Sequence, residues 1–404
     1  MVKIEIENRV VKEQEYIDSI FAVVLNRINI LQKSIEHLSG LAINYNGVNF
    51  DSLRTTTRKI INKIEKRNDS EDLYLINNYD ATVFNYINAP NTNLLNINLI
   101  GLRDLLDYLT QINNLKNLLK CSPSQLWSLN HNLLNNYNII NSIDKDILKF
   151  AFNYDYPEIS SLIKKYFRDN NFVKICPYCN YFEVEYLESP IGQVAVSHHL
   201  DHFFYKATFP LLSYSMYNLI PSDYNCNSTN KGSIEFMDDY HLNPYIEGFG
   251  NSMNFVPIQL GSKIKVDSID IKINENRGSR KYNQLIGDNP IVEEADINGN
   301  INVFKLLTRY RGRTTKAENI LECLQKTDKG FNAIGKFLRL LNPNDKNNYY
   351  LEWYRKQIRT PFEYSEFNNE AFSKFNRDIH DYYYSLNPSI TNRHIRELIE
   401  ANNA

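Results

Sequence analysis

The chain has 404 residues, of which 23% are charged, and its formal net charge is -2. That length allows two or three domains, and that balance excludes a global field drawing the chain onto nucleic acid, so any such contact must come from local patches. No apolar run reaches the roughly 18 residues of a membrane span, the opening MVKIEIENRVVKEQEY carries no secretory pattern, and five cysteines, two of them in a CxxC, fit a reducing cytoplasm and a metal site better than a disulfide framework.

Ile17, Phe21, Val24, Ile28, Leu31, Ile35 and Leu38 recur at three- and four-residue steps. This predicts an amphipathic helix over 15–40, stopped by Gly40. Further helices are predicted over 52–67, with excess positive charge, over 99–120, strongly apolar on one face, and over 137–168. Residues 1–168 therefore read as a helical domain suited to docking a partner. From about 172 to 250 the chain turns short and irregular and gathers most of its Cys, His and Asp-His features, which sets apart a module over 169–250. Residues 251–404 read as mixed, then helical. Within them 263-KIKVDSIDIKI-273 alternates like a strand, and helices are predicted over 301–326, 346–358 and 369–386. The expected fold is mainly α with a small central module. There is no internal repeat and no phosphate-cradling Gly-rich loop, so the chain is not expected to hydrolyse nucleotides.

Cys176 and Cys179 flank Pro177 and Tyr178, the tight spacing that aims two thiolates at one zinc. The second half of such a frame reads 223-DYNC-226, with Asp223 where a cysteine is usual. An Asp oxygen can bind zinc, so Cys176, Cys179, Asp223 and Cys226 form a candidate structural Zn²⁺ site. His198 and His199 stay open as alternative fourth ligands, and so does an empty site in which Cys179 and Cys226 are simply buried. Cys121 and Cys323, on apolar helical faces, read as core thiols.

Phosphodiester hydrolysis needs a base, a cation against the phosphate, and groups that hold both in line. Imidazole is the natural base near neutral pH. Mg²⁺ prefers oxygen ligands and keeps several waters, so one carboxylate and one amide oxygen can suffice. The sequence offers Asp201 and His202 side by side, then Asn218, then Asn227 directly after Cys226. The order CPYC … LDHFFYKATFP … YNLIPSDYNCN…KG resembles the HNH (ββα-metal) endonuclease family over roughly residues 172–245.

The resemblance implies a hairpin and helix gripping one Mg²⁺ or Mn²⁺, braced by zinc. It makes Asp201 a metal ligand, His202 the general base, Asn218 the asparagine that orients it, and Asn227 a second metal ligand. Lys206 falls in DHFFYK, where relatives carry a proline at the position of Tyr205. Lys231 becomes a phosphate contact near the start of the helix. DxxC in place of CxxC is the clearest departure. The NLIPS…CN…KG core with 241-HLNPY-245 and 304-FKLLTRY-310 further resembles HNH subunits paired with ATPases in bacterial anti-phage systems such as Septu. That implies cleavage of DNA, with RNA equally compatible, under control of an ATPase partner. The competing reading is a catalytically inactive, zinc-stapled subunit that binds nucleic acid or a partner. The run 305-KLLTRYRGRTTK-316 adds Arg309, Arg311 and Arg313 as candidate phosphate contacts, with Tyr310 as a candidate base-stacking ring. His241, before N-P-Y, reads as a turn residue more than a ligand.

Overall fold

The computed structural model describes residues 1–40, 49–65, 97–184, 199–259, 261, 264–289, 291–338 and 364–386. The chain divides into two compact units. One comprises Met1–Glu5, Asn171–Leu200 and Pro221–Ala404; the other comprises Ile6–Asn170 and Asp201–Ile220. The sharp change of sequence character at about 172 falls at a unit boundary. The 169–250 stretch does not stay in one unit, because residues 201–220 return to the unit built by the N-terminal helices.

The helical unit is built on α1 (Arg9–Leu38), which begins six residues before the predicted start. Tyr16, Ile17, Ile20, Val24, Ile28, Leu31 and Ile35 form its buried stripe. Around it lie α2 (Phe50–Glu65), α3 (Leu99–Thr110), α4 (Ile112–Leu119), α5 (Leu126–Asn136), α6 (Ser142–Leu148) and α7 (Pro157–Asn170). The predicted 99–120 helix is broken at Gln111, whose φ of -67° and ψ of 122° are extended. Gly101 sits inside α3 because a Cβ there would lie 2.1 Å from Tyr137 O. The 137–168 helix is likewise two. Pro157 has no N–H to continue a preceding helix but suits the first position of a new one. Arg27 ties down the intervening turn, donating to Phe150 O at 2.6 Å and Ala151 O at 3.0 Å. Its guanidinium lies 3.6 Å from the Tyr156 ring centroid.

The other unit holds an antiparallel pair, β3 (Met253–Gln259) and β4 (Val266–Ile273), with Met253 opposite Ile273 and an irregularity at Ile258/Gln259. β4 matches the predicted strand. β3 escaped the sequence reading because Pro257 sits inside it. In a two-stranded pair each strand keeps an open edge, where a proline nitrogen is tolerated. After the short helices α8 (Arg280–Ile286) and α9 (Asn300–Val303), α10 (Leu306–Arg311), α11 (Thr314–Leu338) and α12 (Ser373–Leu386) pack against this pair. The predicted 301–326 helix is interrupted at Lys305, which adopts φ +51°, and again before Thr314. The core is aromatic: Tyr310 stacks on Phe255 at 4.1 Å and lies 5.4 Å from Phe375. Lys374 and Asp378 form a buried ion pair on α12, and Asp378 also accepts from Phe255 N at 2.9 Å. The N-terminal segment joins this unit, with Val2 N donating to Pro177 O at 2.7 Å and Ile4 N to Pro244 O at 2.8 Å. The predicted 346–358 helix lies outside the described residues. Among the described residues no helix is long and apolar enough to cross a membrane.

Candidate functional site

The cysteine cluster forms within the strand-containing unit. Residues 174–184 fold back on themselves: Cys176 N donates to Phe182 O and Val184 N to Lys174 O, both at 2.8 Å, and Ile175 bridges Glu183. Inside this loop Asn180 N donates to Cys176 O at 2.8 Å. Asn180 adopts φ +52°, which asparagine tolerates better than most side chains. Its buried side chain is a hub. Asn180 Nδ2 donates to Phe367 O at 2.9 Å, and Oδ1 accepts from Ser373 Oγ at 3.0 Å and Lys374 N at 2.9 Å.

Cys226 arrives on the short helix Asn225–Lys231, whose bonds are of the wide i to i+5 type. Asp223 starts that helix. Its Oδ1 accepts from Asn225 N at 3.0 Å and its Oδ2 from Cys226 N at 2.9 Å. One ligand atom from each of Cys176, Cys179, Asp223 and Cys226 lies within 4.8 Å of all the others. A tetrahedral zinc with bonds of about 2.3 Å to sulfur puts its sulfurs about 3.8 Å apart, so the set fits zinc after a small contraction. Asp223 can serve both the helix and a metal, because each carboxylate oxygen carries a second lone pair. All three thiols are buried. Burial pushes Cys176 and Cys226 up. Burial also opposes the Cys179 thiolate, but S–H donation from Cys176 and Cys226, the Phe182 amide and Arg309 outweigh it and pull Cys179 down. A pocket that already favours one thiolate suits a divalent metal. His198 lies outside the described residues. His199 packs edge-on against Tyr224 at 5.1 Å and is not in the cluster.

Asp201 and His202 sit on β1 (His199–His202), paired with β2 (Leu219–Ser222). Both side chains are buried, at 3% and 7% exposure. His202 Nε2 lies 3.1 Å from Ser213 O. A carbonyl only accepts, so Nε2 carries the proton and Nδ1 is the basic nitrogen of the neutral ring. Tyr154 packs edge-on against the imidazole, with centroids 4.7 Å apart. Asn218 locks the connection between the strands. Its Oδ1 accepts from Phe204 N at 2.7 Å, and its Nδ2 donates to Phe204 O and Leu212 O at 3.1 Å. Phe203 N donates to Asn218 O at 2.8 Å. Two buried hydroxyls near His202, Tyr154 Oη and Ser213 Oγ, have no hydrogen-bond partner among the described residues.

Asp201, His202 and Asn218 belong to the helical unit, whereas Asn227 belongs to the cysteine-bearing unit. Asn227 N donates to Asp223 O at 3.0 Å, and Asn227 O accepts from Gly232 N at 2.8 Å. Asp201 belongs to no cluster of three or more His, Cys, Asp or Glu among the described residues.

The candidate phosphate contacts fare differently from one another. Lys206 is paired with Asp155 at 2.5 Å. Lys231 closes its helix instead of opening it, is 1% exposed, and places its ammonium 4.6 Å from the Phe236 centroid. Tyr310 cannot stack on a base, because it is fully buried and its hydroxyl donates to Cys179 O at 2.8 Å. Arg311 and Arg313 are exposed, and Arg309 is half-buried with Nε donating to Phe304 O at 2.8 Å. His241 is structural. Its Nδ1 accepts from Met237 N at 3.0 Å, its Nε2 donates to Ile297 O at 3.0 Å, and Phe236 stacks on it at 4.0 Å. Burial lowers its pKa to about 4.

The sequence reading missed Asn180, Tyr154 and the rings around Arg313. Only Asn180 had a local signal, as a residue that tolerates positive φ directly after CPYC. No protein-family profile, curated protein or solved structure matches the chain.

Proposed function

We propose that the chain is a metal-dependent endonuclease whose general base is His202. The observation that carries this reading is the anchoring of His202: Nε2 fixed to Ser213 O, so that Nδ1 is the basic nitrogen, with Asp201 beside it on β1. Asn218 holds the β1–β2 connection through three side-chain bonds and so holds Ser213 in place for His202. The unpartnered hydroxyls of Tyr154 and Ser213 give a water or phosphate oxygen polar company there. Burial pushes the Tyr154 phenol up, so it stays a neutral donor.

In this reading Nδ1 of His202 accepts a proton from water as the water oxygen bonds to phosphorus and the bond from phosphorus to the leaving oxygen breaks, the leaving oxygen taking its proton from solvent. Asp201 offers a hard carboxylate oxygen of the kind Mg²⁺ or Mn²⁺ takes while keeping its waters. Such an ion, when bound, supplies positive charge against the phosphate. Zinc on the cysteine cluster is structural. An ATPase partner and an anti-phage role belong to the same proposal through the sequence resemblance.

The test is purified protein with Mg²⁺, with and without EDTA, on plasmid, single-stranded DNA and RNA. Cleavage should be EDTA-sensitive and should fall about 100-fold or more in His202→Ala, assayed well below that variant's melting temperature, which the loss of a buried, hydrogen-bonded ring lowers. No cleavage by the wild type, or a cleavage that His202→Ala leaves unchanged and so does not come from this site, would leave the inactive zinc-stapled binding subunit as the reading.

A further inference from the structure

Three half-buried rings and three cations, Arg309, Arg313 and Lys316, make one continuous patch on the cysteine-bearing unit, and the exposed Arg311 lies in the same segment. Tyr181 and Phe182 directly follow the knuckle, and Phe372 precedes α12. The Tyr181 centroid lies 4.7 Å from both Phe182 and Phe372. Arg309 lies 5.3 Å from the Phe182 centroid, Arg313 4.7 Å from Tyr181, and Lys316 4.8 Å from Phe372. The segment 309–316 carries four cations and no carboxylate. Among the described residues neither Arg311 nor Arg313 forms an ion pair with a carboxylate.

The placement of Phe372 is itself costly. Its φ is +64°, a conformation disfavoured for a bulky side chain, and it is held by its N–H donating to Asn180 O at 2.7 Å. Such strain gathers where a ligand needs the side chain.

We infer that this patch binds single-stranded nucleic acid, with bases stacking on Tyr181, Phe182 and Phe372 and phosphates meeting Arg311, Arg313 and Lys316. Exposed cation–π contacts are weak, so a base can displace a guanidinium from a ring and free it for phosphate. Paired bases in a duplex do not offer their faces to the rings. An acidic peptide would engage the cations and leave the rings unused. The inference deepens the nucleolytic reading, on which its choice of ligand rests.

The test is fluorescence anisotropy of the full chain with a labelled thymidine 20-mer, a duplex of equal length and polyglutamate, without added Mg²⁺, over a salt series. The single strand should bind tightest. Arg311→Glu with Arg313→Glu should weaken it at least 10-fold and flatten the salt slope by about 1.4, the share of two phosphate contacts on a single strand. Phe372→Gly should weaken it about 10-fold with the slope unchanged. Glycine adopts this φ readily, and a melting curve confirms that the variant is folded. Wild-type affinity in either variant, or polyglutamate binding as tightly as the oligonucleotide, overturns the inference. If these variants lose binding while His202→Ala still cleaves, the patch stands and the nuclease reading fails. If His202→Ala stops cleavage while these variants bind normally, the reverse holds.

Discussion

The cysteine knuckle and the His202 hairpin solve the same problem in opposite ways. Each must hold polar, reactive side chains in a buried place. The loop carrying Cys176 and Cys179 takes its turn from short-range backbone bonds, Cys176 N to Phe182 O and Asn180 N to Cys176 O, and only then is tied through Asn180 to Phe367, Ser373 and Lys374. The hairpin uses long reaches: Asn218 spans back to Phe204, and His202 forward to Ser213. Local geometry of the first kind is robust to change elsewhere. The second kind depends on one amide, and the loss of that amide would reach the imidazole.

The largest effect should come from His202→Ala, which breaks the comparison on its functional side by removing cleavage, with zinc content unchanged and the protein folded but less stable, since Ser213 O loses its partner. Next is Cys226→Ala. Zinc should fall from about one equivalent per chain to near zero by elemental analysis, because a structural site needs all four ligands. Zinc retained at one equivalent would show that the cluster is not the site. A third variant sharpens the contrast in stability. Asn218→Ala leaves Phe204 N, Phe204 O and Leu212 O without partners, which should cost about 2–3 kcal/mol in chemical denaturation. Its cleavage rate should fall further than stability alone explains, since Ser213 loses its brace.

The broadest effect, absent at neutral pH and growing only as the solution is acidified, is a pH dependence owed to His241. Met237 N–H points at Nδ1, so the folded protein holds the ring neutral, with a pKa near 4, while the unfolded chain has the ordinary value of about 6.5. The unfolded state therefore binds the extra proton first. Stability should be full above about pH 6.5 and decline as pH falls toward 4, by roughly 3 kcal/mol at most. His241→Gln should flatten that decline in melting curves recorded from pH 7 to 4.

Much of this was legible because some signals are local. The α1 stripe follows from periodicity, β4 from alternation, and the Cys176, Cys179, Asp223, Cys226 set from spacing alone. The breaks at Gln111 and Lys305 were not legible, since nothing in either side chain demands a stop there. Pro157 did announce one and was read through. Tyr310 shows the limit most plainly. Interleaved with arginines it looks like a surface ring, yet α10 turns it inward to donate to Cys179 O. The distinction between a cation that faces solvent, such as Arg311, and one that lies against a ring, such as Lys231, is a tertiary property that sequence spacing does not carry.

The division of the chain has a practical corollary for anyone cloning fragments. The cysteine-bearing unit draws on Met1–Glu5, Asn171–Leu200 and Pro221–Ala404. No single truncation isolates it. A fragment starting at residue 171 would lack the donors of Val2 and Ile4 to Pro177 and Pro244. It would also carry Asp201–Ile220, with Phe203, Phe204, Leu212 and Tyr214, stripped of the helices that cover them. Such a fragment should aggregate, and a better excision would splice out 201–220 with a short turn and supply the first five residues on a tether.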